Sequence, residues 1–294
     1  MILITGGTGF VGGHIVKELR TRDLPVRALV RDPADAGRLH AWGVETSVGD
    51  VNDVESLKRA AEGADVVIHL VAILTARPRD FERVMSQGTR NLVDAAREAG
   101  VRRFVHMSAL GTSEATNGLV PYYTAKWDME QTVKGSGLEH VIFRPSFVFG
   151  PDGGALQQFK RIAKRAPVTP IVGPGTQRIQ PIWAGDVARY FADAVDEPQA
   201  ANRTFELGGP DVVTWNEFWE RLKRALGTRR PSLHVPFGLM RVQARALELL
   251  PSPPVTRDQL TMLAAGDNVV TSSDAVDVFG FPLVPLDEQL RRSS

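Results

Sequence analysis

The sequence predicts an α/β protein, a doubly wound parallel sheet with a smaller C-terminal lobe. Three observations predict it. Short apolar runs alternate with amphipathic stretches through the first half, a glycine cluster follows the first run directly, and proline and glycine spread through 167–175 after Gly150-Pro151. Strand candidates lie at 2–5, 26–30, 45–48, 66–70, 104–107 and 140–143. Helical spacing appears between them near 11–20, 34–41, 54–61, 81–99 and 122–134. Alternation of this kind requires right-handed crossovers and hence parallel strands. Farther on, the pattern predicts a helix over 186–195, a late strand at 204–207 that rejoins the sheet, and a helix over 215–226 in the lobe. The expected division is residues 1–150 for the sheet domain and 151–294 for the lobe, with about 180–208 returning to the sheet domain.

Composition narrows the function classes. With 43% hydrophobic and 23% charged residues among 294, the chain can bury a sizeable core. A formal net charge of +1 gives no bias towards nucleic acid or an anionic membrane. The chain has no cysteine, which excludes disulfides, thiolate metal sites and cysteine catalysis. Six histidines at 14, 40, 69, 106, 140 and 234 show no metal-ligand spacing, so no metal site is expected. No Gly-x-Ser-x-Gly elbow appears, which argues against a serine hydrolase. Met1-Ile2-Leu3-Ile4 runs into glycine too soon for the apolar core of a signal peptide, and no apolar run approaches the ~20 residues of a membrane span. A cytoplasmic location is the expectation.

Chemistry starts at the first turn. Thr5-Gly6-Gly7-Thr8-Gly9-Phe10-Val11-Gly12 joins the first strand to the first helix, where helix-terminal amides meet a pyrophosphate. Gly6 suits the tight turn, Gly9 the close approach of backbone to phosphate, and Gly12 the packing of helix on strand. Gly13-His14 in place of Lys-Ser/Thr excludes a Walker loop. The loop therefore points to a nicotinamide dinucleotide. After the second strand, Arg31 suits an adenosine 2′-phosphate and favours NADP(H), while Asp32 keeps NAD(H) as the alternative. Asp50 is a candidate acceptor for the adenine amino group or, equally, a turn aspartate. Val51, Leu70, Val71, Ala72 and Pro145 complete the candidate cofactor-binding residues.

Tyr122 and Lys126 stand four apart in a helical stretch and share a face. An adjacent ammonium favours tyrosinate, so the pair can exchange a proton with a carbonyl or alcohol as hydride moves. Tyr123, three residues from the lysine, competes for the role. Thr5-Gly6-x-x-Gly9-x-x-Gly12, Ser108-Ala109-Leu110-Gly111, Pro121-Tyr122-x-x-x-Lys126 and Phe143-Arg144-Pro145 together resemble the extended and atypical short-chain dehydrogenase/reductases. Gln180-Pro181-Ile182-Trp183, Gly185-Asp186-Val187-Ala188, Phe205-Glu206-Leu207-Gly208-Gly209-Pro210, Asp258-Gln259-Leu260 and Asp267-Asn268 are similar to the NADPH-binding accessory subunits of respiratory complex I and their bacterial relatives.

The resemblance implies a Rossmann fold of strand order 3-2-1-4-5-6-7, Lys126 on the nicotinamide ribose, and a hydroxyl and an asparagine assisting the tyrosine. Here Ala109 falls where the hydroxyl normally lies, with Ser108 one position early as the candidate. Met85 takes the place of the relay asparagine, and Phe147 that of an asparagine used by nucleotide-sugar members. The leading expectation is an oxidoreductase passing hydride between NADP(H) and a small apolar carbonyl or quinone-like acceptor. A cofactor-binding accessory or sensor protein is the alternative, and a nucleotide-sugar epimerase or dehydratase is third. The amphipathic stretch 237–250, from Phe237 to Leu250, carries Leu239, Met240, Val242 and Leu247 beside Arg241 and Arg245. Packing within the fold is its default role, and docking on a membrane or protein partner is the alternative.

Overall fold

The computed structural model describes residues 1–248, 253 and 255–293. Leu250, the end of the amphipathic stretch, lies outside them. The chain divides into two units. The first comprises Met1–Pro145, Ala184–Leu207 and Ser272–Pro282, and the second Ser146–Trp183, Gly208–Thr271 and Leu283–Ser294.

The first unit holds a parallel sheet built from β1 (Ile2–Thr5), β2 (Val26–Val30), β3 (Glu45–Val48), β4 (Val66–His69), β5 (Arg103–Met107), β6 (Glu139–Pro145) and β7 (Arg203–Leu207). Its spatial order is β7-β6-β5-β4-β1-β2-β3, the doubly wound order of the Rossmann fold. Crossover helices include α1 (Phe10–Thr21), α2 (Gly37–Ala41), α3 (Val54–Ala61), α4 (Gly88–Glu98) and α5 (Pro121–Lys134). Two later helices, α6 (Ala184–Asp193) and α7 (Asp274–Phe279), return to this unit. Central strands are apolar because both faces are covered. Leu3, Val67, Phe104 and Ile142 occupy one face of four neighbouring strands and pack with Leu57, Leu92 and Val133 from α3, α4 and α5.

Two helical stretches are more broken than their periodicity predicts. The segment 34–41 is a 3₁₀ turn, Pro33–Ala36, followed by α2, because the Asp32 carboxylate accepts from the Ala34 amide and tightens the first turn. The segment 81–99 contains a π-helical turn, Glu82–Gln87, before α4. Such turns insert a residue into the helical ladder and recur at functional sites.

In the second unit, the helix Trp215–Ala225 begins with a capping box between Thr214 and Glu217. Its buried face, Trp215, Phe218, Trp219 and Leu222, packs with Phe149, Leu156 and Ile171. The helix Phe237–Leu247 leaves Leu239 53% and Val242 69% exposed, with Arg241 and Arg245 also exposed. Among the described residues no helix is long and apolar enough to cross a membrane, and no cluster of potential metal ligands occurs.

Candidate cofactor and proton-transfer site

The site lies where the C-terminal ends of β1, β4, β5 and β6 meet, the edge at which open α/β sheets bind ligands. At the end of β1 the chain turns with Gly6 at φ +80°, a conformation that a side chain disfavours. Gly9 donates its amide to the Gly6 carbonyl at 3.1 Å, closing the loop. A Cβ on Gly12 would stand 2.1 Å from that same carbonyl oxygen, so α1 and the loop approach as closely as bare backbone permits. Thr8 and Gly9 are exposed at the mouth, whereas Gly7 and Gly12 are buried beneath it. The cradle has room because its glycines lack side chains, and it fits a pyrophosphate against the first turn of α1.

The other sequence candidates fall around this loop. Phe10 and Val11, in the first turn of α1, are half-buried, as are Val71 and Ala72 just past β4; Leu70 and Pro145 are buried. Leu70 donates its amide to the Thr5 carbonyl at 3.1 Å, which carries the β1–β4 pairing past both strand ends. Arg31 is exposed immediately after β2. The Asp50 Oδ1 accepts from the backbone and side-chain nitrogens of Asn52 at 2.8 and 2.7 Å, an Asx turn beside buried Val51.

Tyr122 and Lys126 rise from the N-terminal half of α5, which starts at Pro121. Tyr122 packs edge-on against Phe81 at 6.4 Å beside Met85, Ala125 and Met129. Lys126 is fully buried; its Nζ donates to the Met107 carbonyl at 2.6 Å and lies 5.9 Å from the centre of the Tyr122 ring. The spacing argument expects the ammonium to favour tyrosinate. Burial reverses the balance. It pushes the Tyr122 phenol well above its ordinary value and draws Lys126 down to about 7, against the opposing pull of Glu130. Tyr122 is accordingly a protonated phenol at neutral pH. The competing Tyr123 turns its hydroxyl inward, 3.5 Å from the Leu110 carbonyl.

Ser108 is buried, with its hydroxyl hydrogen-bonded to Glu130 and 3.4 Å from Thr112 Oγ1. Ala109, half-buried, occupies the neighbouring position. Met85 is fully buried in the π turn and packs with Phe81, Ala125 and Met129, so an apolar side chain fills the relay position.

Three further polar groups lie near this edge; the first, Glu130, escaped the sequence reading, whereas His69 and His106 were expected there as residues packed at the ends of adjacent strands. Glu130 is fully buried, accepts two hydrogen bonds from Arg144 at 2.8 and 2.7 Å and pairs with Lys134 at 3.2 Å. Burial alone would raise its pKa, but hydrogen bonds from Arg144 and Ser108 and the two cations hold it below the ordinary value. Its signal was readable, since Tyr122, Lys126, Glu130 and Lys134 repeat every fourth residue of one helix. His69 is the second: its Nδ1 lies 2.7 Å from Thr5 Oγ1 and its Nε2 3.0 Å from Thr89 Oγ1, which itself donates to the Met85 carbonyl at 2.7 Å. Thr89 must therefore accept from Nε2–H, leaving Nδ1 to accept from Thr5. The third, His106, stacks on His69 at 5.5 Å and has no hydrogen-bond partner on either ring nitrogen. Burial, then the Lys126 charge, lowers His69 to about 3 and His106 well below the ordinary range, so both rings are neutral.

The loop, the strand order and the buried lysine behind an exposed edge describe a dinucleotide-binding protein of the extended short-chain dehydrogenase/reductase type. The family model described as NAD(P)H-binding matches residues 6–198, and the chain belongs to that family. A ceramide reductase of Caulobacter vibrioides is 30% identical over 80% of this chain and 74% of its own length. Mitochondrial NADH dehydrogenase (ubiquinone) 1 alpha subcomplex subunit 9 of Arabidopsis thaliana is 28% identical over 96% of this chain and 73% of its own. Among solved structures, the NADPH complex of the Escherichia coli quinone oxidoreductase QOR2 superposes with a TM-score of 0.80 over 99% of this chain and 98% of that one. At 21% identity this likeness establishes the fold.

Proposed function

We propose that the protein is an NADP(H)-dependent oxidoreductase that reduces a small apolar carbonyl or quinone-like acceptor. The observation that carries the reading is the placement of Tyr122, half-buried at the strand-end edge and four residues from a lysine whose Nζ donates to the Met107 carbonyl. The loop from Thr5 to Gly12 holds the pyrophosphate, and Arg31 meets the adenosine 2′-phosphate. Bound NADPH supplies the hydride. Tyr122, carrying its proton at neutral pH, donates it to the acceptor oxygen as hydride arrives at carbon. Lys126 holds the nicotinamide ribose and returns a proton to the phenolic oxygen. Phe81, Met85 and Ala72 give the surroundings of the ring an apolar lining, which suits an acceptor lacking charge.

The turned-in Ser108 hydroxyl and the apolar Met85 favour a second reading, a protein that holds NADP(H) structurally within an assembly, with the exposed face of Phe237–Leu247 as its docking surface. NADPH oxidation measured against a carbonyl panel and a quinone panel separates the two. Turnover with either panel is expected. Tight NADPH binding with neither panel reduced would replace the enzyme reading by the accessory one.

A further inference from the structure

The net charge of +1 conceals a segregated one. Residues 221–247 carry six arginines and one lysine but no aspartate or glutamate, and the whole stretch belongs to the second unit. Part of that charge gathers at one corner. Arg230 donates to the Ala166 and Lys164 carbonyls at 2.7 and 3.0 Å, at the end of the helix Gly154–Arg165, where Lys164 and Arg165 are exposed. Arg224 and Arg229, both exposed, line the same open hollow as Arg230. From this corner the strand Ser232–Val235, paired in parallel with Thr169–Val172, leads into the helix Phe237–Leu247.

That helix is held by one face. A Cβ on Gly173 would stand 2.5 Å from the Phe237 ring, so the ring lies over the turn that ends Thr169–Val172. Ala244 is fully buried, and Met240 and Leu247 are half-buried. At 3.6 residues per turn these four share one stripe, and Val242 stands directly opposite it. Val242 is the most exposed of the ridge, with Leu239 and Ala246, also exposed, beside it. Arg241 and Arg245 run along one flank of this ridge, while the next acid, Glu248, is taken by Arg257 at 2.8 Å. A helix face turned to solvent ordinarily carries polar side chains. An apolar ridge edged by cations is instead the pattern of a helix lying in a membrane–water interface.

We propose that Phe237–Leu247 docks the protein on a bilayer containing anionic lipid. Leu239 and Val242 enter the acyl boundary, Arg241 and Arg245 meet headgroup phosphates, and the basic corner adds longer-range attraction. Charge decides the occupant. A second copy seated on the same ridge would bring four arginines together, and a neutral bilayer would leave them without anionic partners. The inference stands apart from the oxidoreductase reading, because no residue of the cofactor site takes part. It differs from docking within an assembly in that the surface met is lipid.

The chain has no cysteine, so Val242→Cys on the ridge and Asp94→Cys on the first unit can each carry a single environment-sensitive fluorophore. Vesicles of phosphatidylcholine mixed with phosphatidylglycerol should brighten and blue-shift the label at 242 and leave that at 94 unchanged. Pure phosphatidylcholine should do much less, and added salt should weaken the response. In sedimentation of unlabelled protein with the mixed vesicles, Val242→Asp should abolish binding, and Arg241→Gln combined with Arg245→Gln should weaken it by roughly tenfold or more. All these side chains are exposed, so thermal unfolding of the variants should match that of the native protein. Native protein that stays in the supernatant with both kinds of vesicle would overturn the proposal. So would vesicle binding undiminished by Val242→Asp with an unresponsive label at 242, which would place the contact elsewhere. A dimer in solution that Val242→Asp dissociates, without vesicle binding, would assign the ridge to a second copy and overturn it as well.

Discussion

At the phosphate loop the chain is constrained by what is missing, since a single methyl on Gly12 would collide with the Gly6 carbonyl and one on Gly13 with Arg38. Behind Tyr122 it is constrained by what is present: a neutral histidine pair, a buried lysine and a carboxylate shared by two cations. The first region is backbone geometry, which tolerates almost any side chain that points away. The second is a polar interior in which each group sets the charge of the next. Binding and chemistry should therefore break separately.

The sharpest break is Tyr122→Phe. Loss of the phenolic proton should lower turnover by roughly two to four orders of magnitude while NADPH affinity is retained. Steady-state kinetics and fluorescence titration on the same preparation check it, with parallel loss of both arguing against the separation. Gly12→Ala should do the reverse. Relief of a 2.1 Å approach requires backbone to shift, and overpacking of this kind costs about 1–3 kcal/mol. Cofactor affinity and thermal stability should fall together, while the Tyr122 environment, read by its near-ultraviolet absorption, stays unchanged.

The smallest effect comes from the histidine pair. In the unfolded chain His69 takes up a proton near 6.5, but in the fold it resists until about 3, so the unfolded state binds more protons between those values. Stability is full above pH 6.5 and declines as the pH falls through that window, by about 1.4 kcal/mol per pH unit for each such group. Urea unfolding at pH 7.5, 6.5 and 5.5 should show the decline mainly in the lower interval, and His69→Gln should reduce its slope, leaving the share of His106. An unchanged slope in that variant would show that other groups set the acid limit.

Strands such as β1, β2 and β4 were legible as short apolar runs, and β1 ends directly at Gly6. The sequence placed β1, β2 and β3 to the residue, and the order in the sheet is the one that the family resemblance implied. The phosphate loop was legible for a related reason: glycine spacing is a local signature of backbone geometry. Charge states were not. The spacing of Tyr122 and Lys126 is local, but whether the ammonium or the burial dominates depends on helices and strands far apart in sequence. His69 meets Thr5 across 64 residues, and Arg144 meets Glu130 from a different element.

The sheet's last strand arrives late in synthesis. When β6 has left the ribosome it has one neighbour, β5, and its other edge carries unpaired backbone groups flanked by Val141, Ile142 and Phe143. That edge stays open while the chain through Trp183 is made, until Arg203–Leu207 pairs with it. An open apolar strand edge is an invitation to pair with another chain. Even then Phe143 lacks Phe279, whose ring stands 5.8 Å from it in the finished fold. A nascent chain stalled between residues 146 and 202 would thus display a sticky margin, and genetic truncations in that interval should yield aggregates instead of a smaller cofactor-binding protein.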